Sequence, residues 1–438
     1  MLDNELAVAM SRRAVFRAGS AVAAGLALDP RLAWAAAPSS ATRAMWPNVA
    51  AMVDGYVDSG KLPEMLATLG WGARAPEVIA KGKEGLDDAD PVGIDSLYRL
   101  YSMTKPITGM AAMILIDEGR MKLDQPLADI LPKFAKMQVQ ATPDGSLTEL
   151  VPAQSPITIR NLLTHTAGLG YSIIQKGPLK GAFEDAGVIA GQVSRTKIPG
   201  FDRGTPVTSL ETFADRLAGL PLVYQPGTQW SYSVGLDLMG RVIEVVSGQS
   251  FDSFLQERIF GPTGMTSSYF RVPAAQEKRL TSNYGVIGKL LLPLDPAKNS
   301  IFLGQPPFPM GGAGLVSSPR DYDRFMNMLT GFGRIGGKRV MSEAAVRLGT
   351  SNLMPPSVST KGTWMDGQGF GAGGRVGLGE QAGVYGWGGA AGTVAFVDMR
   401  RSLRAGLYTQ YMPDSSYPVH EQFPKAVVAD LTKRKAGA

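Results

Sequence analysis

Cysteine is absent from this chain of 438 residues, and histidine occurs only twice, at His165 and His420. Without cysteine the protein forms no disulfide bond, holds no thiolate-bound metal and has no thiol nucleophile. Two histidines are also too few for a histidine-rich metal centre. The composition therefore excludes a Cys–His mechanism, and we expect no metal at the functional site.

Two other absences narrow the class of protein. No Gly-x-Ser-x-Gly segment occurs, which argues against the nucleophile turn of an α/β-hydrolase. No apolar run reaches the roughly 18 residues that a membrane-spanning helix needs, so we expect no stable membrane span. The formal net charge is +6, but basic and acidic residues are interspersed, which argues against a nucleic-acid groove.

Residues 1–37 have the features of a targeting segment rather than of a folded domain. Arg12 and Arg13 lie in a segment typical of a twin-arginine signal, and a weakly apolar stretch follows over residues 18–28. Ala33-Trp34-Ala35 is a candidate cleavage site. We therefore expect export by the twin-arginine route, to the periplasm or out of the cell.

The stretch from residue 97 to residue 119 carries the first candidate nucleophile. An extended, aromatic-rich run ends at Ser102, and an apolar helical pattern then continues to Gly119. Ser102 and Lys105 lie three positions apart, so on a helix they share one face beside the unpaired N–H groups of its N-terminus. A serine beside an amine is a candidate activated nucleophile. Taken alone, the pair is explained as well by a capping serine and a solvated lysine.

A tyrosine in the middle of the chain is the second candidate. Trp230 and Tyr232 come after a Pro-Gly turn and just before a helical pattern with apolar residues from Leu236 to Ile243. A phenol at the start of a helix can point into a cleft and transfer protons, or it can pack in the core. The local sequence leaves both roles open.

Three further segments bear on the candidate site. His165 lies in a turn after a short helix, where a hydrogen-bonded structural role is favoured over that of a base. Residues 175–206 are rich in glycine and poorly patterned, which predicts a loop near the mouth of the site. Residues 383–398 predict one strand, whose glycines, among them Gly388 and Gly389, would let a substrate lie along it.

Three motifs stand in one order along the chain: Ser102-x-x-Lys105, then Tyr232-Ser233-Val234, then Trp387-Gly388-Gly389. Together they resemble the serine β-lactamase and penicillin-binding-protein superfamily, most closely its class C-like branch and the family VIII carboxylesterases. The resemblance covers the chain from about Met45 to the C-terminus and includes the segments 162–169 and 311–315.

The resemblance implies an α+β fold of the β-lactamase/transpeptidase type. It predicts an antiparallel sheet of the five-stranded type, flanked by N- and C-terminal helices, with a large helical region inserted between them. One domain would cover residues 45–438. Its sheet subdomain would consist of about 45–100 and 370–438, and its helical subdomain of about 101–369.

The resemblance also implies roles for single residues. Ser102 would be the nucleophile, Lys105 would help to deprotonate it, and Tyr232 would carry a proton to the leaving group and from the deacylating water. The backbone N–H groups of Ser102 and Ala390 would form an oxyanion hole for the tetrahedral intermediate.

Two positions depart from the β-lactamase pattern. Val234 stands where those enzymes usually have an asparagine that orients the lactam amide, and Trp387 stands where they have a lysine that supports carboxylate binding. We therefore place Val234 with Trp387, Gly388 and Gly389 among the substrate-binding residues. The apolar indole of Trp387 favours an uncharged acyl ester over a lactam carboxylate.

The sequence thus predicts a serine hydrolase that cleaves small-molecule carboxylic esters through an acyl-enzyme on Ser102, without a metal or other cofactor. An amidase, a peptidase or a weak β-lactamase on the same site is one alternative, and an acyltransferase is another. A non-catalytic binding or sensor protein with this fold is a remote alternative, because all three catalytic side chains are present. We expect no nucleic-acid partner, and the sequence predicts no particular oligomeric state.

Overall fold

A computed structural model describes residues 40–189, 191–196 and 204–436 of the protein. The predicted export signal, residues 1–37, lies outside the described residues. None of the described helices is both long and apolar enough to cross a membrane.

Most helices of the described chain come, in sequence, after the first two strands of the main sheet and before its remaining strands. The helices are α1 Ser40–Met45, α2 Pro47–Asp58, α3 Thr104–Asp117, α4 Ile159–Leu163, α5 Pro178–Asp185, α6 Leu210–Ala218, α7 Gly235–Ser247, α8 Phe251–Leu255, α9 Gly261–Thr263, α10 Pro319–Thr330, α11 Glu343–Gly349 and α12 Val419–Ala436. The strands are β1 Glu64–Trp71, β2 Glu77–Gly82, β3 Tyr98–Arg99, β4 Gln138–Gln140, β5 Leu150–Pro152, β6 Ser268–Tyr269, β7 Asn283–Ile287, β8 Leu290–Asp295, β9 Val316–Ser317, β10 Arg334–Ile335, β11 Lys338–Arg339, β12 Gln368–Phe370, β13 Arg375–Gly377, β14 Val384–Gly388, β15 Val394–Asp398, β16 Leu403–Tyr408 and β17 Tyr411–Met412.

The main sheet is antiparallel, as predicted, and runs in the order β12-β13-β14-β15-β16-β1-β2. It has seven strands rather than the expected five, because the short strands β12 and β13 extend it beyond β14. The first two strands and the last three lie side by side although more than 300 residues separate them, with Leu66 opposite Tyr408. The helical region is therefore an insertion between two parts of one sheet.

The N- and C-terminal helices α2 and α12 pack together on one face of this sheet. Successive residues of a strand point to opposite faces, and Met65, Ala67 and Leu69 of β1 are buried against these helices, while Leu66 joins the core on the other side. Phe423 of α12 is fully buried in the same cluster. This arrangement confirms the predicted terminal helices.

Helix α10 covers the other face of the sheet. Its N-cap Ser318 accepts a hydrogen bond from the Asp321 N–H, and Pro319 occupies the first helical position. The buried Arg404 of β16 donates from Nε to Asp323 of α10 at 2.8 Å. This ion pair ties α10 to the sheet, although the helix lies within the range that the sequence assigns to the helical subdomain.

Two segments differ from their sequence predictions. Residues 175–206 contain helix α5, because Pro178 suits a first helical position and Leu179 and Phe183, four residues apart, bury one face; residues 190 and 197–203 lie outside the described part. Residues 383–398 form two antiparallel strands instead of one, since a turn at 389–392 reverses the chain. Gly388 therefore ends β14, and Gly389 and Gly392 lie in the turn.

Candidate active site

Ser102 lies in a single 3-10 turn, Tyr101–Met103, between β3 and the start of α3. The helix begins two residues later than the serine, so Ser102 precedes the first helical turn instead of lying within it. Tyr101 has a φ of 45°, a backbone conformation that costs a bulky residue energy and is found preferentially at functional sites. The side chain of Tyr101 is buried, which holds the turn in this conformation.

Lys105 is fully buried on α3, and its Nζ lies 3.3 Å from the Ser102 Oγ. The same Nζ donates a hydrogen bond to the Gly312 carbonyl at 2.8 Å and lies 4.7 Å from the centre of the Tyr232 ring. A fixed carbonyl and an aromatic face thus hold the amine against the serine hydroxyl. The three-residue spacing in the sequence predicts that Ser102 and Lys105 lie near each other, and in the structure their side chains are in contact.

Tyr232 lies in the loop before α7, and its hydroxyl donates a hydrogen bond to the Ser102 Oγ at 2.7 Å. The indole Nε1 of Trp387 in turn donates to the Tyr232 oxygen at 3.5 Å. Tyr232 and Trp387 are both more than nine-tenths buried. Side chains from three distant parts of the sequence therefore meet in one hydrogen-bonded chain that ends at the serine hydroxyl.

Asp237 is a member of the site that the sequence analysis does not identify. It lies at the third position of α7, is fully buried, and accepts a hydrogen bond from the Gly312 N–H at 2.8 Å. Its other carboxylate oxygen has no hydrogen-bond partner among the described residues. Burial raises the pKa of this carboxyl group, whereas the nearby Lys105 charge acts to lower it. The available signal in the sequence was an acidic residue between Leu236 and Leu238, at the start of a helix whose first turns are mostly apolar.

His165 has the packed, hydrogen-bonded environment that the sequence favours. Its Nδ1 accepts the Ser233 N–H at 3.2 Å and lies 3.0 Å from the Ser233 Oγ, and its ring centre lies 4.7 Å from that of Tyr232. Burial, together with the charge of Lys105, holds the pKa of His165 well below its usual value. The imidazole is therefore neutral and supports the position of Tyr232.

The predicted oxyanion donor Ala390 lies in the turn that joins β14 to β15. The Gly392 N–H closes this turn on the Gly389 carbonyl at 3.0 Å, and the Gly389 N–H donates to the Thr393 carbonyl at 2.7 Å. A side chain at Gly389 would collide with the backbone oxygen of Leu100, so the turn lies directly against the segment that leads to the nucleophile. The role of the Ser102 and Ala390 N–H groups as oxyanion donors stays a prediction.

Two of the predicted substrate-binding positions face protein atoms. Val234 is fully buried and is the N-cap residue of α7. Its N–H donates to the Gly170 carbonyl at 3.3 Å, and its side chain presents no surface to a substrate. A Cβ at Gly388 would lie 3.0 Å from the ring of His420, so this glycine makes room for the imidazole of α12. A side chain at Gly388 would thus press against this imidazole whether or not a substrate lies along β14.

Among the described residues, no group of three or more histidine, aspartate or glutamate side chains is arranged to hold a metal ion. The chemistry available at the site is that of the serine hydroxyl, the amine, the phenol and the buried carboxylate. Such a set suits nucleophilic catalysis, in which a neighbouring base activates a weak nucleophile.

The chain is similar to known proteins over most of its length. The Beta-lactamase family model matches residues 49–428. Protein Rv1367c of Mycobacterium tuberculosis is 33% identical over 291 residues, which cover 66% of this chain and 68% of that protein. Esterase EstB of Burkholderia gladioli is 28% identical over 362 residues, which cover 77% of this chain and 84% of that protein.

A solved structure supports the same assignment at the level of the fold. The structure described as EstCE1, a hydrolase with promiscuous acyltransferase activity, superposes with a TM-score of 0.72. The two chains are 24% identical, and the match covers 89% of this chain and all of the other. The extent of the family match, together with this shared fold, shows that the chain belongs to the beta-lactamase family.

Proposed function

We propose that this protein is a serine carboxylesterase that works through an acyl-enzyme on Ser102. One observation carries the proposal: the Ser102 Oγ lies 2.7 Å from the Tyr232 hydroxyl and 3.3 Å from the Lys105 Nζ. A nucleophile with a base and a second proton carrier in direct contact is the arrangement that acyl transfer requires.

Acylation follows from these contacts. The Ser102 Oγ attacks the ester carbonyl while its proton passes to the Lys105 amine, 3.3 Å away. The backbone N–H groups of Ser102 and Ala390 would stabilise the negative charge that develops on the carbonyl oxygen. Tyr232 then donates its proton to the departing alcohol oxygen and regains one from Lys105, and the carbon–oxygen bond of the ester breaks. The products of this half-reaction are a free alcohol and an acyl group on Ser102.

Deacylation reverses the path of the proton. Tyr232 passes its own proton to the Lys105 amine and takes one from a water molecule as the water oxygen attacks the acyl carbonyl. The tetrahedral intermediate collapses, the bond to Ser102 breaks, and the serine oxygen regains its proton from the Tyr232–Lys105 pair. The carboxylic acid leaves, and every group returns to its starting protonation state.

Two features support an ester rather than a lactam as the substrate. Trp387 places a buried indole at the position where the lactamases carry a lysine, and its Nε1 is directed to Tyr232. The relative Esterase EstB, named for ester cleavage, matches over 77% of this chain. An uncharged ester suits the apolar side of the site better than a substrate with a carboxylate.

The test compares the wild-type protein with Ser102→Ala, using p-nitrophenyl butyrate as the substrate and a fluorophosphonate as the covalent probe. We expect the substitution to abolish both hydrolysis and labelling, and mass spectrometry to locate the trapped group on Ser102. The exposed Ser59, which bonds only to its own helix end, provides the control variant Ser59→Ala. Activity that survives in Ser102→Ala would refute the proposal.

The alternatives are separated with the same protein. Faster turnover of nitrocefin or of a D-amino-acid peptide than of the ester would assign the site to a lactamase or a peptidase. Faster acyl transfer to an added alcohol than to water would assign it to an acyltransferase. Absence of any labelling at Ser102 would favour a binding protein.

A further inference from the structure

The indole of Trp364 is the most exposed tryptophan side chain in the described residues, with 65% of its surface accessible. It nevertheless contacts three rings of the site, with centroid distances of 5.1 Å to Trp230, 5.9 Å to Tyr232 and 5.6 Å to Trp387. A large apolar side chain that is held against catalytic rings and still open to solvent is typical of the wall of a binding site. Sequence analysis did not identify this residue, because no motif surrounds it.

The loop that carries Trp364 is closed by its own hydrogen bonds. The Thr360 Oγ1 donates to the Gln368 carbonyl at 2.8 Å, and the Thr363 Oγ1 donates to the Thr360 carbonyl at 2.7 Å. Met365, the next residue after Trp364, is fully buried and anchors the loop in the core. These contacts hold the loop that carries the indole in place in the free protein. Binding a ligand therefore requires little further ordering of this loop.

The position of Trp364 relative to Tyr232 identifies the part of the substrate that it faces. In the proposed reaction the departing alcohol oxygen takes its proton from the Tyr232 hydroxyl, so that oxygen must lie within hydrogen-bond reach of the phenol. The Trp387 Nε1 lies 3.5 Å from the Tyr232 hydroxyl oxygen, and the Trp387 ring contacts the ring of Trp364. A group attached to the alcohol oxygen therefore extends along Trp387 toward Trp364, whereas the carbonyl oxygen of the ester faces the proposed oxyanion donors.

We propose that Trp364 and Trp387 form the binding site for the alcohol part of the ester and that this site takes an uncharged aromatic alcohol. The inference rests on the proposed esterase function and deepens it. Indole and phenol rings gain most from another planar ring, in stacked or edge-to-face contact. The Lys105 amine already occupies one face of the Tyr232 ring, at 4.7 Å, which disfavours a cationic alcohol there.

The kinetic test compares benzyl acetate with ethyl acetate, which share the acyl group and have alkyl alcohols as leaving groups. The quantity measured is the ratio of kcat/KM for the two esters. In Trp364→Ala we expect the benzyl-to-ethyl ratio to fall about tenfold, because a ring–ring contact is lost. Trp364→Phe, which keeps a ring, retains most of the ratio. A series of acyl chain lengths on one alcohol gives the same pattern in the wild type and in Trp364→Ala.

Leu290→Ala is the matched control, because Leu290 is as exposed as Trp364, at 65%, and lies on the β7–β8 hairpin. We expect this control variant to keep the wild-type benzyl-to-ethyl ratio. An unchanged benzyl-to-ethyl ratio in Trp364→Ala would overturn the inference. So would a change that follows the length of the acyl chain instead of the alcohol.

A binding measurement separates this inference from the esterase proposal. Benzyl alcohol is added to Ser102→Ala, which cannot turn over, and its contact with the protein is followed by saturation-transfer NMR. We expect a signal in Ser102→Ala that is lost in Ser102→Ala/Trp364→Ala. Equal signals in both proteins overturn the aromatic-alcohol site, whatever the wild-type protein hydrolyses. Loss of the signal together with an absence of ester hydrolysis would refute the esterase function and keep the binding site.

Discussion

Asp237 and Lys105 are linked through one residue, Gly312. The Asp237 carboxylate accepts the Gly312 N–H at 2.8 Å, and the carbonyl of the same glycine accepts the Lys105 Nζ, also at 2.8 Å. Asp237 and Lys105 are fully buried, and a side chain at Gly312 would collide with the carboxylate. A buried carboxyl group thus lies behind the amine that contacts Ser102, and the backbone of one glycine connects the two.

The first prediction concerns the charge of Asp237. Asp237→Asn keeps an oxygen that can accept the Gly312 N–H but removes the negative charge near Lys105. Burial raises the pKa of the Asp237 carboxyl group, so we expect protonation of this group to contribute to the acid limb of the wild-type kcat/KM profile. Asp237→Asn lacks this titration, and we expect its acid limb to be shallower than that of the wild type. The measurement is the pH dependence of p-nitrophenyl butyrate hydrolysis.

Asp237→Leu is the companion variant, because it also removes the hydrogen-bond acceptor. We expect this variant to lose about 1–3 kcal/mol of unfolding free energy, since the Gly312 N–H is left buried without a partner. An Asp237→Asn protein with the wild-type pH profile would show that Asp237 only supports the packing.

The second prediction concerns the turn that holds Ala390. In Gly389→Ala the new methyl group meets the Leu100 carbonyl oxygen, and this backbone atom cannot move without shifting the turn of Ser102. We expect a loss of about 1–3 kcal/mol in stability and a fall in kcat of about a hundredfold, because the oxyanion donors separate. Thermal unfolding and ester turnover are the measurements.

Gly93→Ala is the control for this substitution. Gly93 has no atom within 4 Å of an added Cβ and does not have a positive φ. The Gly93→Ala substitution should therefore leave both stability and turnover close to the wild-type values. Wild-type kcat in Gly389→Ala would contradict an oxyanion role for this turn.

The third prediction concerns stability against pH. Glu84 is buried and accepts a hydrogen bond from the Ser96 Oγ at 2.7 Å, and burial raises its pKa to about 7, with the Asp90 and Asp88 charges adding to the effect. A carboxyl group whose pKa is higher in the folded than in the unfolded state stabilises the fold at low pH, and this stability is lost as the pH rises through the folded value. The wild-type protein should thus lose stability between about pH 5 and pH 8.

Glu84→Gln removes this titration, so we expect its stability profile to be flatter over that range, by on the order of 1 kcal/mol. Urea unfolding at pH 5, 6.5 and 8 measures the difference. The exposed Glu149 provides the control variant Glu149→Gln, which should keep the wild-type slope. Parallel profiles for the wild type and Glu84→Gln would disprove the assignment to Glu84.

Several elements could be predicted because their signals are local. The helix that follows Ser102 depends on an apolar periodicity over a few turns, and that helix brings Ser102 and Lys105 to one side. The terminal helices α2 and α12 were expected from the resemblance of the motifs to a known family. The prediction of one strand over residues 383–398 was wrong, because alternation and glycine content do not distinguish one long strand from two strands joined by a tight turn. The helix within residues 175–206 was missed because only Leu179 and Phe183 mark its buried face.

The sequence alone determined the order of the motifs and the chemical types of the candidate site groups: a hydroxyl at Ser102, an amine at Lys105, a phenol at Tyr232 and an indole at Trp387. The tertiary structure decided which groups surround them, since Lys105 meets Gly312 across 207 positions and Tyr232 meets Ser102 across 130. Contacts over such distances depend on how the helices and the sheet pack, and no local pattern encodes them. For that reason Asp237 and Trp364 enter the site only when the chain is folded.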